Sequence, residues 1–96
     1  MRRLELRSKF RHDLKREDKG IYSSLLGKGG ELNQVVSSLV NNIPLAPKYR
    51  DHMLHGEWEG SRECHVKPDF LLVYTYVDDD ILRLERLGSH AELFGM

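Results

Sequence analysis

Three strand-like runs crowded into the C-terminal half, Ser61–Lys67, Phe70–Val77 and Ile81–Leu87, constrain this chain more than any other feature. The breaks between them, at Pro68-Asp69 and Val77–Asp80, are each short enough for a hairpin. Consecutive strands joined this tightly must run antiparallel, since a parallel pair needs a crossover of a dozen residues or more. Upstream the period changes. Leu32, Val35, Val36, Leu39 and Val40 fall three and four apart, which predicts a core helix over about 31–42. Pro44 and Pro47 then force an extended connection. Nearer the N-terminus, Leu4 and Leu6 flank Glu5 in an alternating stub that predicts a short first strand. Ser8 is placed to cap a charged helix over roughly 8–19, which has a narrow stripe at Phe10 and Leu14 and is ended by Gly20. Ser89-x-x-Glu92 is a capping box that opens one terminal helical turn. The order β-α-α-β-β-β plus a turn predicts an α+β fold: a small, antiparallel-dominated sheet, with two N-terminal helices on one face.

At 96 residues the chain is expected to form a single domain, 1–96, because a second could not bury its own core. Cys64 is the only cysteine, which excludes an internal disulfide and favours a reducing compartment. MRRLELRSKF lacks the apolar run of a signal peptide, and the longest nearly apolar stretch, Phe70–Val77, is far too short to span a bilayer. A cytoplasmic protein without a membrane partner is expected. Net charge is zero but unevenly distributed. Residues 1–50 carry eleven Lys/Arg against five Asp/Glu (+6), and residues 51–96 carry four against ten (−6). Such asymmetry suits a basic face for a polyanion, although a solvated basic helix explains it equally well.

Four of the five histidines, His52, His55, His65 and His90, follow position 50. Imidazole populates both protonation states near neutrality, as a paired acid and base require. On the run 61–67, Cys64 and Val66 take the apolar parity, leaving Glu63, His65 and Lys67 on the open face. Asp69 follows at the turn, and Arg62, Arg83 and Arg86 supply cations. Cleavage of RNA by its own 2′-OH needs a base, an acid and a cation for the phosphorane, all available here without metal. His52-x-x-His55 with Cys64 and His65 offers zinc ligand types, but lacks a second regular pair, so neither metal nor other cofactor is expected. Gly27, Gly29 and Gly30 lack P-loop spacing. His12 and His55 read as solvated, and Trp58, Tyr74 and Tyr76 as packing residues.

Residues 51–95 carry Asp-His, Leu-x-Gly, Gly-x-Arg-x-x-His-x-x-Pro-Asp, an aliphatic strand with Tyr74, and Glu-Arg-x-Gly-Ser-His-x-x-Leu-Phe. In order and spacing this resembles the C-terminal half of YafQ-type toxins of the RelE/ParE superfamily. The resemblance implies a ribosome-dependent mRNA endoribonuclease, the toxin of a type II toxin–antitoxin pair, cutting codons in the 30S A site. It implies an antitoxin of the RelB/DinJ type as partner, beside the ribosome and mRNA. Residue by residue, it implies catalytic roles for His65, Asp69, Arg86 and His90, with His90 as general acid or base and Arg86 on the scissile phosphate. His52, Phe70, Phe94 and Arg62 would contact RNA, Phe70 standing where many members have Trp. Arg86 shares strand parity with Leu82 and Leu84, so the implied role requires a bulge, or the end of the strand, to turn it out of the core. The rival from another class is a non-catalytic RelE-fold protein that only binds RNA or antitoxin.

Overall fold

The computed structural model describes residues 1–95. The elements are β1 (Arg3–Leu6), α1 (Ser8–Glu17), α2 (Glu31–Val40), β2 (His52–Met53), β3 (Arg62–Lys67), β4 (Phe70–Tyr76), β5 (Ile81–Gly88) and α3 (His90–Phe94). One five-stranded sheet has the order β1-β5-β4-β3-β2. Every pairing is antiparallel except β1 with β5. The parallel pair is possible because α1, α2 and three strands separate its members. The short edge strand β2 was not foreseen; two residues carry too little alternation to be read.

The sheet sorts its side chains by parity. Phe70, Leu72 and Tyr74 of β4 join Cys64, Val66, Leu82, Leu84 and Leu87 in the main core, under Phe10 of α1 and the apolar stripe of α2. Leu71 and Val73 point the other way, into a smaller cluster with Leu93 of α3, flanked by Leu54, Trp58 and Phe94. The two N-terminal helices therefore share one face, and α3 covers part of the other. Among the described residues, no helix is long and apolar enough to cross a membrane.

Two local expectations are corrected. Arg7, not Ser8, occupies the N-cap of α1, and no side chain caps that end; Arg7 instead donates its backbone N–H to the Leu84 carbonyl, prolonging the β1–β5 pairing into the helix start. The helix also ends at Glu17, before Gly20. The terminal capping box forms as read: Glu92 N–H donates to Ser89 Oγ (3.1 Å) and Ser89 N–H to Glu92 Oε1 (2.9 Å).

Of the two ways to re-aim Arg86, the structure uses a bulge. Val73 pairs with Arg86 and Tyr74 with Leu84, so Glu85 is an extra residue on β5. Leu84 and Leu87, three apart, both reach the main core, which strict alternation forbids. Arg86 is thereby turned toward the Val73 face.

Candidate functional site

The face opposite α1 and α2 carries a cleft of about 610 Å³, lined by His52, Glu63, His65, His90, Trp58 and Phe94 among others. Three of its histidines, His52, His65 and His90, come from β2, β3 and the first residue of α3. The His65 ring lies between the other two, its centroid 6.0 Å from His52 and 5.6 Å from His90. Pairing of His52 with Glu63 and of β3 with β4 sets this order across the sheet.

Each ring is held by acceptors. Asp69 Oδ1 accepts from the His90 backbone N–H (2.9 Å) and faces His90 Nδ1 (2.7 Å). Those two bonds, the backbone one foremost, hold the Asp69 carboxyl below the usual carboxylate range. An ionised carboxylate only accepts, so Nδ1 carries the hydrogen and the lone pair of His90 sits on Nε2. His65 Nδ1 faces the Pro68 carbonyl at 3.3 Å, and its Nε2 lies 3.8 Å from Glu63 Oε2. His52 Nδ1 donates to the Arg50 carbonyl (2.7 Å), and its Nε2 meets Glu63 Oε2 at 2.9 Å. Arg50 takes a left-handed conformation, φ 48°, unusual for a side chain of its size, which turns the chain into β2. Both nitrogens of His52 and of His65 thus face oxygen acceptors, although His65 Nε2, at 3.8 Å, stands beyond hydrogen-bond distance of Glu63.

Glu63 is the cleft residue that sequence reasoning did not single out. Parity placed it on this face, but only the fold buries it, at 4% exposure, beneath two histidines. Its Oε1 is buried with no hydrogen-bond partner. One donor atom each from His52, Glu63 and His65 lies within 4.8 Å of the others. Cys64 is on the opposite side of the sheet, where burial pushes its thiol far up, so it joins neither this cluster nor any nucleophilic chemistry.

Not every expected residue is here. Phe70, expected to contact RNA, is fully buried on the helix side, its ring stacked 4.7 Å from Tyr22; its parity with Leu72 and Tyr74 directs it away from the cleft. Arg62 shares parity with Cys64 and Val66 and meets the Asp51 carboxylate at 3.3 Å, so it too leaves the cleft. Arg86 does lie on the cleft's side, but in an adjacent hollow. Trp58 lines both hollow and cleft, packing edge-on against Phe94 at 6.5 Å. The Arg86 guanidinium donates from Nε to Asp13 Oδ2 (2.8 Å) and from Nη2 to Asp13 Oδ1 (3.2 Å). His55 lines the rim, and His12 is exposed on α1.

The likeness to known proteins covers nearly the whole chain. A family model described as the bacterial toxin of type II toxin–antitoxin system, YafQ, matches residues 2–95. The mRNA interferase toxin YafQ of Escherichia coli K12 is 47% identical over 66 residues, 68% of this chain and 71% of that protein. Among solved structures, YafQ in an E. coli DinJ–YafQ complex is 38% identical with a TM-score of 0.83, covering 99% of this chain and 100% of that one. A metal-bound toxin from Helicobacter pylori is 43% identical with a TM-score of 0.79, over 98% and 100% of the two chains. With a family model spanning all but its terminal residues, the chain belongs to the YafQ family of bacterial toxins of type II toxin–antitoxin systems.

Proposed function

We propose that the protein is an mRNA endoribonuclease that cuts codons in the ribosomal A site by attack of the RNA's own 2′-OH. The observation that carries this reading is the His90–Asp69 pair beside His65: one ring with its lone pair fixed on Nε2, the next with both nitrogens facing acceptors. His90 Nε2 takes the 2′ proton, and the 2′ oxygen attacks the adjacent phosphorus. The 5′ oxygen leaves with a proton from His65. Arg86 steadies the charge on the phosphorane. His52 helps hold the RNA along the cleft wall, and Phe94, half-exposed beside Trp58, offers a face on which a base stacks. The basic residues of α1 supply rRNA phosphate contacts, and the cytoplasm, where ribosomes translate, is the site of action. An antitoxin of the DinJ type, as in the E. coli complex, is the regulatory partner. The test is to map RNA 5′ ends with translating ribosomes and with naked message. Cuts in frame, only with ribosomes, support the reading; equal digestion of naked RNA supports a ribosome-independent nuclease, and bound but intact message a binding protein.

A second reading is favoured by the cluster of His52, Glu63 and His65, because a structurally similar toxin from H. pylori is metal-bound. Two imidazoles and a carboxylate with one unpartnered oxygen suit a transition-metal ion. Such an ion would supply Lewis acidity, but it would also engage the His65 nitrogen assigned to proton transfer. Titration with Zn²⁺ or Cu²⁺, read by calorimetry on wild type and Glu63→Gln, tests it: one site lost in the variant supports the cluster, and equal binding removes it.

A further inference from the structure

Asp13 is an anomaly in its own helix. It is a carboxylate at 2% exposure on α1, an element of ten residues whose other charged side chains face solvent or lie half-buried. Such burial is unfavourable unless hydrogen bonds saturate the group. They do: Oδ2 accepts from Leu87 N–H (2.9 Å) and Arg86 Nε (2.8 Å), and Oδ1 from Arg16 Nη1 (2.8 Å) and Arg86 Nη2 (3.2 Å). Burial alone would raise its pKa, but the Arg86 and Leu87 bonds outweigh it and hold the carboxyl below its ordinary value.

The position explains two of these bonds. β1 pairs with β5 only as far as Leu84, so the edge of β5 beyond is left without a neighbour. Asp13 and Arg16 take the neighbour's place, one accepting from Leu87 N–H, the other donating from Nη2 to the Leu87 carbonyl (2.8 Å). Gly88 leaves room at this point: a Cβ there would come within 2.6 Å of Arg16 Nη2, and the guanidinium would have to shift from its bond to the Leu87 carbonyl. Edge pairing needs only one carboxylate lone pair. Of the other three contacts one is to Arg16, and two grip Arg86 side-on, through Nε and one hydrogen of Nη2. Of the five guanidinium N–H groups, three remain, both on Nη1 among them, and they find no protein acceptor among the described residues. A long side chain just past a bulge, otherwise free to rotate, is thus fixed with an unused donor edge matched to a phosphate.

We propose that Asp13 is a positioning residue for RNA cleavage, fixing from α1 the donor edge that Arg86 presents to the scissile phosphate, an inference resting on the role given to Arg86 above. The alternative is that Asp13 only seals the β5 edge. A double-mutant cycle separates them: Asp13→Asn, Arg86→Ala and the double variant, assayed in single-turnover cleavage of ribosome-bound message at rising toxin concentration. Asp13→Asn slows the saturated rate by about 10- to 100-fold, as displaced catalytic groups do. Half-saturation shifts by less than about twofold, because a displaced guanidinium costs rate and not docking. In the Arg86→Ala background the same substitution costs nothing further. Equal losses in both backgrounds, or an unaltered saturated rate, overturn the proposal while leaving Arg86 catalytic. Full activity of Arg86→Ala overturns the role of Arg86 and the proposal with it. Should Asp13→Asn not fold at the assay temperature, Asp13→Glu, which keeps the charge and moves it by one methylene, is read in the same cycle.

Discussion

Asp69 Oδ1 grips His90 twice, at the backbone nitrogen and at ring Nδ1, so one carboxylate oxygen sets both where α3 begins and which nitrogen of the ring is free. Removing it loosens the ring without removing it. Asp69→Ala is expected to slow cleavage by about 10²-fold, the scale of a misplaced catalytic group. His90→Ala removes the base itself and falls by roughly 10²–10⁴. Single-turnover rates on ribosome-bound message check the order: an Asp69→Ala rate equal to wild type would contradict the pairing's role.

Acid lability follows from Asp13. Its folded pKa lies below the ordinary value of 3.8, so its stabilising contribution is complete above about pH 5 and is lost as pH falls through 3.8 toward the folded value. Urea unfolding midpoints should decline below pH 4 more steeply in wild type than in Asp13→Asn. At pH 7 that variant should be less stable by roughly 3 kcal/mol, the scale of breaking a buried charge pair. Parallel pH profiles for the two proteins would sink this account.

Phe70 and Phe94 should separate stability from chemistry. Phe70 is fully buried, so Phe70→Ala is expected to cost about 3–5 kcal/mol and to lower the melting temperature strongly. Any activity it keeps at low temperature should retain the wild-type half-saturation. Phe94 is half-exposed on the cleft rim, and Phe94→Ala should weaken RNA engagement by about 1–3 kcal/mol, the scale of one stacked base. Thermal melts beside cleavage titrations decide; the opposite assignment of the two effects would refute the division of faces.

Docking by α1 is tested with Lys9, Arg11 and Lys15, all exposed. Arg16 is unsuitable for charge reversal, because it bonds Asp13, Glu92 and the Leu87 carbonyl. Reversal at the three should weaken ribosome binding and flatten its salt dependence, each lost phosphate contact removing about 0.7–0.9 from the log–log slope. Binding and slope both unchanged would exclude α1 as the contact.

Much of this was legible before any coordinates. Hairpin spacing placed β3, β4 and β5, and the mismatch between Arg86's parity and its implied role left a bulge or the strand's end to resolve it, of which the β4–β5 register contains the bulge, at Glu85. The alternation of Cys64 with His65 assigned the histidine to the open face. What sequence could not supply depends on third dimensions. Phe70 was expected at the RNA because it stands where many members of the resembled family have Trp, but β4 parity and the Tyr22 ring enclose it. Glu63 looked like a surface carboxylate until β2, two residues long, laid His52 across it. Asp13 carried no signal of its burial, since its partners on β5, Arg86 and Leu87, lie more than seventy residues away.

The most direct test of the central claim, that the histidine cleft cuts message on the ribosome, is primer extension on a message translated in a purified system. Wild type is compared with His90→Ala, the variant's fold being checked by circular dichroism. The account predicts discrete, in-frame cuts with wild type that vanish with His90→Ala and without ribosomes. Cuts that persist at the same codons with folded His90→Ala, or an intact message with folded wild type, would contradict it.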